Sequence, residues 1–182
     1  MTGRNLRLFA LQRTPLKGRK VSESSETFLH LMMPQDANPL GNVFGGTILR
    51  LMDEAAGIVA TRHARSTTVT ASVDRMDFWA PVYVGNLLIL KTAVNFVGKT
   101  SMEVGVRIEA EDLKTGKRTH TGSCYLTYVA LDEQRHPMAV PPIVPETPAE
   151  RKRYKEAGER RKRRMRDLAA SAEENAGTPS RA

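Results

Sequence analysis

The sequence predicts an α+β fold in which an antiparallel sheet wraps around one long helix. One stretch in the first half of the chain repeats its apolar residues at helical spacing. The stretches around it alternate between apolar and polar residues, as strands with one buried face do. Short turns join the alternating stretches that follow the helix, and such turns suit antiparallel neighbours. A chain of 182 residues is expected to form one domain with tails.

The predicted helix begins at Gly45-Gly46. Its apolar residues recur at intervals of three and four, which places them on one face of a helix. They are Ile48, Leu51, Met52, Ala55, Ala56, Val59 and Ala60. We expect this stripe to face the core.

Five strands are expected around the helix, one before it and four after it. They cover residues 28–33, 69–73, 87–97, 102–110 and 119–131. The fourth alternates most regularly, so it is expected to have one buried face and one face in water. A turn at residues 114–117 joins it to the fifth strand.

The positive charge of the chain lies at its ends. Residues 1–20 contain six Lys or Arg and no acid, and residues 145–182 contain eleven Lys or Arg against seven acids. The segment between them is slightly acidic. We therefore predict a basic, flexible arm at 1–25, a globular domain at 26–144, and a proline connector with a basic, helical tail at 145–182. An arginine-rich start also resembles an organelle transit peptide, although serines are few.

Composition excludes several classes of protein. The single cysteine, Cys124, allows no intramolecular disulfide and suits a reducing compartment, so a cytoplasmic location is expected. No apolar run is long enough to span a membrane. The four histidines show no metal-ligand spacing, so no metal is predicted. Tyr154 is the only aromatic residue in the C-terminal tail, which makes nucleic-acid binding a weak alternative. The lone Trp79 is interpreted as packing at a strand end.

Asp53 is the first candidate for chemistry. On a helical wheel it lies at the border of the apolar stripe, between Leu49 and the small residues Ala56, Gly57 and Ala60. An acid beside small residues lies where a ligand or a second backbone is able to approach. An ordinary boundary acid, solvated or ion-paired, is the alternative.

The loop at residues 34–46 is the second candidate. It contains Asn38 and the pair Gly45-Gly46, which opens the helix. Free N–H groups at a helix start polarise a carbonyl oxygen or bind an oxyanion. Turn formation and helix capping explain the same residues without any ligand. A phosphate-binding G-x-x-x-x-G-K-[ST] motif is absent from the sequence.

Several blocks in this order resemble the acyl-CoA thioesterases of the hotdog fold, in the acyl-CoA hydrolase branch. They read "PQDANPLGNVFGGTILRLMDEAAG", "VTASVDRMDFWAPVYVGN", "VGKTSMEVGVRIEAED", "YLTYVALDE" and "VPPIVPETPAE". The resemblance covers roughly residues 26–166. It implies a sheet around the long helix, dimers that assemble into trimers of dimers, an acyl-CoA substrate and no cofactor.

The resemblance also implies roles for individual residues. Asp53 matches the catalytic carboxylate, and Asn38 matches its partner across the dimer interface. Gly45 and Gly46 would polarise the thioester carbonyl. The segment Gly98, Lys99, Thr100 and Ser101 would line the CoA channel, and Arg160 and Arg161 would help to hold the CoA phosphates.

Spacing along the helix agrees with a site shared between two chains. Asp53 follows Gly46 by seven residues, so about 10 Å of helix separates it from the free amides of its own chain. Asp53 would act either as general base on a water or as a nucleophile that forms an anhydride, and the sequence leaves both routes open. The alternative function is a non-catalytic protein that binds acyl-CoA and regulates.

Overall fold

The computed structural model describes residues 16–176, with side chains described up to residue 170. Seven strands and two helices make up this part of the chain. In chain order they are β1 (Arg19–Lys20), β2 (Glu26–Leu31), α1 (Gly45–Ala64), β3 (Thr67–Phe78), β4 (Asn86–Val97), β5 (Ser101–Asp112), β6 (Arg118–Leu131), β7 (Ile143–Val144) and α2 (Pro148–Ala176). Single 3-10 turns precede β2 and follow it.

Five strands form one antiparallel sheet in the order β2-β4-β5-β6-β3. Register shifts that mark β-bulges occur in three of its four strand pairs. The β3–β6 pair has two such shifts, and the β4–β5 and β5–β6 pairs have one each. Bulges increase the local twist of a strand, which helps the sheet to curve around α1. The α+β prediction is therefore confirmed, with the sheet around the long helix α1 and the run of strands in the expected order.

The core lies between α1 and the inner face of the sheet. The predicted apolar stripe of α1 is buried from Ile48 to Ala60 and packs against buried residues such as Val104, Leu126 and Leu88. Three of the stripe residues are alanines, so the sheet approaches the helix backbone closely. Burial of aliphatic side chains of this kind stabilises the fold by about 1.5–3 kcal/mol each.

Helix α2 covers part of the outer face of the sheet. Arg160 forms two hydrogen bonds to Glu103 of β5, at 2.7 and 3.1 Å, and its guanidinium lies 3.7 Å from the centroid of the Tyr125 ring. Arg164 pairs with Asp74 of β3. The outer face of β5 is thus drier than its alternation predicted, because Glu103 is only 2% exposed. A carboxylate tolerates such burial when an arginine satisfies both of its oxygens.

The N-terminal segment packs on the domain from residue 19. Strand β1 pairs in parallel with β7, and the next residue, Val21, is buried in the core. Buried His63, near the end of α1, lies 2.9 Å from the Pro141 carbonyl through Nε2 and 3.3 Å from the Ser24 hydroxyl through Nδ1. The packed chain therefore begins before the boundary expected at residues 25/26. Residues 1–15 of the predicted arm lie outside the described part.

Within residues 16–176, neither helix combines the length and apolar character needed to cross a membrane.

Candidate active site

Asp53 lies on the exposed side of α1, and two hydroxyls hold its carboxylate. The Thr70 hydroxyl, on β3, donates to Oδ1 at 2.8 Å. The Tyr128 hydroxyl, on β6, lies 2.7 Å from the same oxygen and 2.9 Å from the backbone carbonyl of Asp53. Helix α1 therefore supplies the acid. Strands β6 and β3, which are neighbours at one end of the sheet, supply the hydroxyls that orient its carboxylate.

Both hydroxyls act on one oxygen of the carboxylate. Tyr128 is 2% exposed, and burial raises the pKa of its phenol, so the hydroxyl stays protonated and donates. The second oxygen, Oδ2, has no hydrogen-bond partner within the described residues. A carboxylate held by Oδ1, with Oδ2 free of hydrogen bonds within the described residues, is arranged to accept a proton or to attack an electrophile.

The Asn38 loop is tied down by its own side chain. The Asn38 Oδ1 accepts hydrogen bonds from the backbone N–H groups of Leu40, at 2.9 Å, and Asn42, at 3.3 Å. Since the two backbone N–H groups need an acceptor, the atom facing them is the amide oxygen, and the Nδ2 group is the atom that points away from them. It has no acceptor within residues 16–176. Asn38 therefore presents a fixed, unused N–H donor.

The start of α1 supplies further donors. Phe44 is the N-cap residue, and its side chain caps no amide. The N–H groups of Thr47 and Ile48 both point to the Phe44 carbonyl, whereas those of Gly45 and Gly46 have no acceptor in the described chain. A Cβ at position 46 would lie 2.4 Å from the ring of Phe44, so a larger residue there would require the exposed Phe44 side chain to move. These amides are available to a developing negative charge on a carbonyl oxygen.

The hairpin between β4 and β5 contains the four predicted CoA residues at 98–101, and Arg161 lies against its Gly98. The Gly98 N–H donates to the Ser101 carbonyl at 2.7 Å, and the Lys99 carbonyl accepts from Val140 at 3.1 Å. A Cβ at position 98 would lie 3.2 Å from Arg161 Nε, so the absence of a side chain there leaves room for the guanidinium. The Thr100 carbonyl accepts from Ala130 at 3.0 Å.

Arg160 occupies a different environment from the one predicted for it. Its guanidinium is engaged with Glu103 and Tyr125, and only 20% of its side chain is exposed. Asp53 and the Asn38 loop also lie apart on one chain, separated by the first two turns of α1. Thr70 and Tyr128 were not predicted. Their contacts with Asp53 span 17 and 75 residues, which no local pattern reveals.

Comparisons with known proteins identify the family of this chain. Residues 40–117 match the model of the thioesterase superfamily. The cytosolic acyl coenzyme A thioester hydrolase of Mus musculus is 40% identical over 138 residues, which are 75% of this chain and 36% of the mouse protein. This chain thus spans about a third of that relative's length.

Solved structures give the same result over more of the chain. A hexameric acyl-CoA thioesterase in its apo form is 40% identical, with a TM-score of 0.82 over 85% of this chain and 99% of the other. The acyl-CoA hydrolase of Staphylococcus aureus, bound to butyryl coenzyme A and coenzyme A, is 36% identical, with a TM-score of 0.81 over 87% and 96%. Alanine variants of that enzyme at an aspartate, a threonine and an asparagine are also solved. The chain belongs to the thioesterase superfamily, among the acyl-CoA thioester hydrolases with the hotdog fold.

Proposed function

We propose that the protein hydrolyses fatty acyl-CoA thioesters to free fatty acid and CoA, with Asp53 as the catalytic carboxylate. The observation that carries this proposal is the geometry of Asp53, whose Oδ1 is held by Thr70 and Tyr128 and whose Oδ2 is unused. Family membership supports the reaction class, and the geometry supports the residue.

The chemistry needs three groups. The amides of Gly45 and Gly46 polarise the thioester carbonyl, and the Asn38 Nδ2 group orients the carbonyl or the water. Asp53 Oδ2 either takes a proton from the attacking water or attacks the carbonyl to form an anhydride that water then opens. In both routes the C–S bond breaks and the thiolate leaves. Thiolate is a good leaving group, so the site needs no strong general acid.

Solved variants of the S. aureus hydrolase support the assignment. In that enzyme the substituted asparagine precedes the substituted aspartate by 15 residues, and the substituted threonine follows the aspartate by 17. Asn38, Asp53 and Thr70 have the same two spacings in this chain. The geometry of this chain supports the same set, because the Nδ2 group of Asn38 has no acceptor among the described residues and the Thr70 hydroxyl donates to the Asp53 carboxylate.

The site is completed by a second subunit in this proposal. Within one chain the first two turns of α1 separate Asp53 from the donors at its start. Next to Asp53, β3 is an edge strand of the sheet, and its exposed Val69 and Val73 suit burial against another chain. Solved relatives are hexameric. We therefore place Asp53 opposite the partner subunit's Asn38 in a dimer, and three dimers in the hexamer.

The CoA moiety is placed at the hairpin of residues 98–101. Lys99 is exposed there, and Arg161 lies against Gly98 with no ion pair among the described residues. Arginine suits phosphate because its planar fork donates two parallel hydrogen bonds. Arg160 does not belong to this phosphate set, because Glu103 already takes two of its donors.

Subunit mixing tests the catalytic pair and the interface together. Asp53→Asn and Asn38→Ala are each expected to lower turnover by on the order of 10²-fold or more. Exchange of equal amounts should restore about a quarter of wild-type turnover, because half of the random dimers are mixed and each has one intact site. Thiol trapping with an acyl-CoA series measures the release of CoA.

The controls separate the remaining possibilities. Exchange of each variant with itself should restore nothing, and circular dichroism should show both variants folded. Verified exchange without recovery of turnover would contradict the shared site. A wild-type protein that binds acyl-CoA yet releases no thiol would favour the alternative, a non-catalytic acyl-CoA-binding protein.

A further inference from the structure

A small cavity of about 320 Å³ opens beside the start of α1. Part of its lining is polar and is formed by Asn38, Asn42 and Gly45. The rest of the lining is apolar and comprises Val43, Ile48, Phe78, Trp79, Ala80, Pro81 and Val82. Three of the wall residues, Val43, Ile48 and Val82, are buried core residues, so the deep side of the cavity is rigid.

Trp79 forms the open wall of this cavity, and its position is fixed. Its backbone N–H donates to the Thr121 carbonyl at 2.8 Å, and its ring makes an edge-to-face contact with His120 at 4.6 Å between centroids. His120 is in turn held through Nε2, 2.9 Å from the Gly122 carbonyl. The indole nevertheless remains 59% exposed. A tryptophan anchored in this way keeps a large apolar face in water, which a ligand would cover.

We infer that this cavity receives the acyl chain of the substrate and that Trp79 sets the length of chain it accepts. The inference rests on the proposed function. Asn38 and Gly45 line the cavity together with the apolar residues, so a thioester carbonyl held by their N–H groups would lie against it. The carbon chain attached to that carbonyl is apolar, so its transfer from water to the apolar lining of the cavity is favourable. The volume is at the small end for ligand cavities, which favours short and medium chains.

The first experiment measures kcat/KM across saturated acyl-CoA substrates of increasing chain length. Trp79→Phe and Trp79→Ala enlarge the cavity in two steps, so each should raise the ratio of long-chain to short-chain kcat/KM, by about tenfold for the alanine variant. Tyr83→Ala is the matched control, since Tyr83 follows in the same loop and is 52% exposed but does not line the cavity. Its profile should match the wild type.

The second experiment uses Trp79 as its own probe, because it is the only tryptophan in the chain. In the Asp53→Asn protein, which blocks turnover, medium-chain acyl-CoA should shift the tryptophan emission to shorter wavelength and CoA alone should not. The same emission with both ligands would overturn the inference. An unchanged chain-length profile in both Trp79 variants, or an equal change in Tyr83→Ala, would overturn it as well. Absence of hydrolysis in the wild type would instead contradict the proposed function, and the emission shift would still report the acyl site.

Discussion

Replacement of Tyr128 by phenylalanine removes one of the two donors that direct Asp53 and leaves the ring in place. The lost hydroxyl serves both Oδ1 and the backbone carbonyl of Asp53. Hydrogen bonds to charged groups contribute about 1.5–3 kcal/mol. Asp53 is exposed, so water replaces part of the interaction, and the lower end of this range applies. Since about 1.4 kcal/mol corresponds to a factor of ten in rate, Tyr128→Phe should lower kcat/KM about tenfold.

The loss should appear in kcat and leave KM nearly unchanged, because the Tyr128 hydroxyl bonds to Asp53. The backbone of Tyr128 pairs with Met102 beside the CoA hairpin, and the substitution leaves that pairing in place. Steady-state thiol release with one acyl-CoA measures both constants. Tyr125→Phe is the matched control: Tyr125 lies on the same strand, and its hydroxyl has no hydrogen bond in the described chain. The control should stay within about twofold of the wild type, as substitutions of free groups do.

Two results would refute the reasoning about Tyr128. A Tyr128→Phe protein with wild-type kcat/KM would show that Thr70 alone directs the carboxylate. Equal losses in Tyr128→Phe and Tyr125→Phe would show a general disturbance of β6 rather than a change at Asp53.

Two further predictions concern stability and CoA binding. Burial lowers the pKa of His63 below its usual 6.5, aided by Arg19 and opposed by the Pro141 carbonyl. The folded protein therefore excludes a proton that the unfolded chain binds, so the stability from neutral His63 is complete above about pH 6.5 and falls as the pH drops below it. The Tm difference between wild type and His63→Gln should shrink from pH 7.5 to pH 5.5, and a constant difference would contradict this. Arg161→Gln should raise KM for acyl-CoA about fivefold with kcat unchanged, as the loss of a partly screened charge contact does. Arg163→Gln, two residues on and exposed, is the control, and equal KM values in the two variants would exclude Arg161 from the CoA site.

Helix α1 and the five main strands were predictable because their signals are local. The apolar stripe from Ile48 to Ala60 and the alternation in residues 102–110 each report one face of one element. The outer face of β5 was not predictable in the same way. Its alternation indicates a face in water, but Glu103 is buried by Arg160, which lies 57 residues away in the chain. Strand β1 was missed for a similar reason, because it has two residues and its partner is β7.

The residues of the candidate site also differ in whether a local sequence signal predicts them. Asp53 and the Asn38 loop carry local signals, a helix-border acid and a glycine-rich helix start, and the family resemblance named their roles. Thr70 and Tyr128 carry none, because a threonine or tyrosine in a strand is ordinary until the fold places it against α1. Trp79 was interpreted as packing at a strand end. Its ring does pack on His120, but its free face lines a cavity that only the folded loops create.

The consecutive arginines Arg160 and Arg161 show why the number of charges in the basic tail does not predict what each charge contacts. Arg160 and Arg161 differ by about 100° around the helix. Arg160 turns to the sheet and pairs with Glu103, whereas Arg161 turns to Gly98 at the hairpin. The buried pair fixes the register of α2 on the sheet, and that register determines which residue reaches the hairpin. A solvated tail would offer its charges to any anion. A docked helix places Arg161 alone against Gly98, so in the proposed CoA site the structural ion pair of Arg160 would position the neighbouring cation.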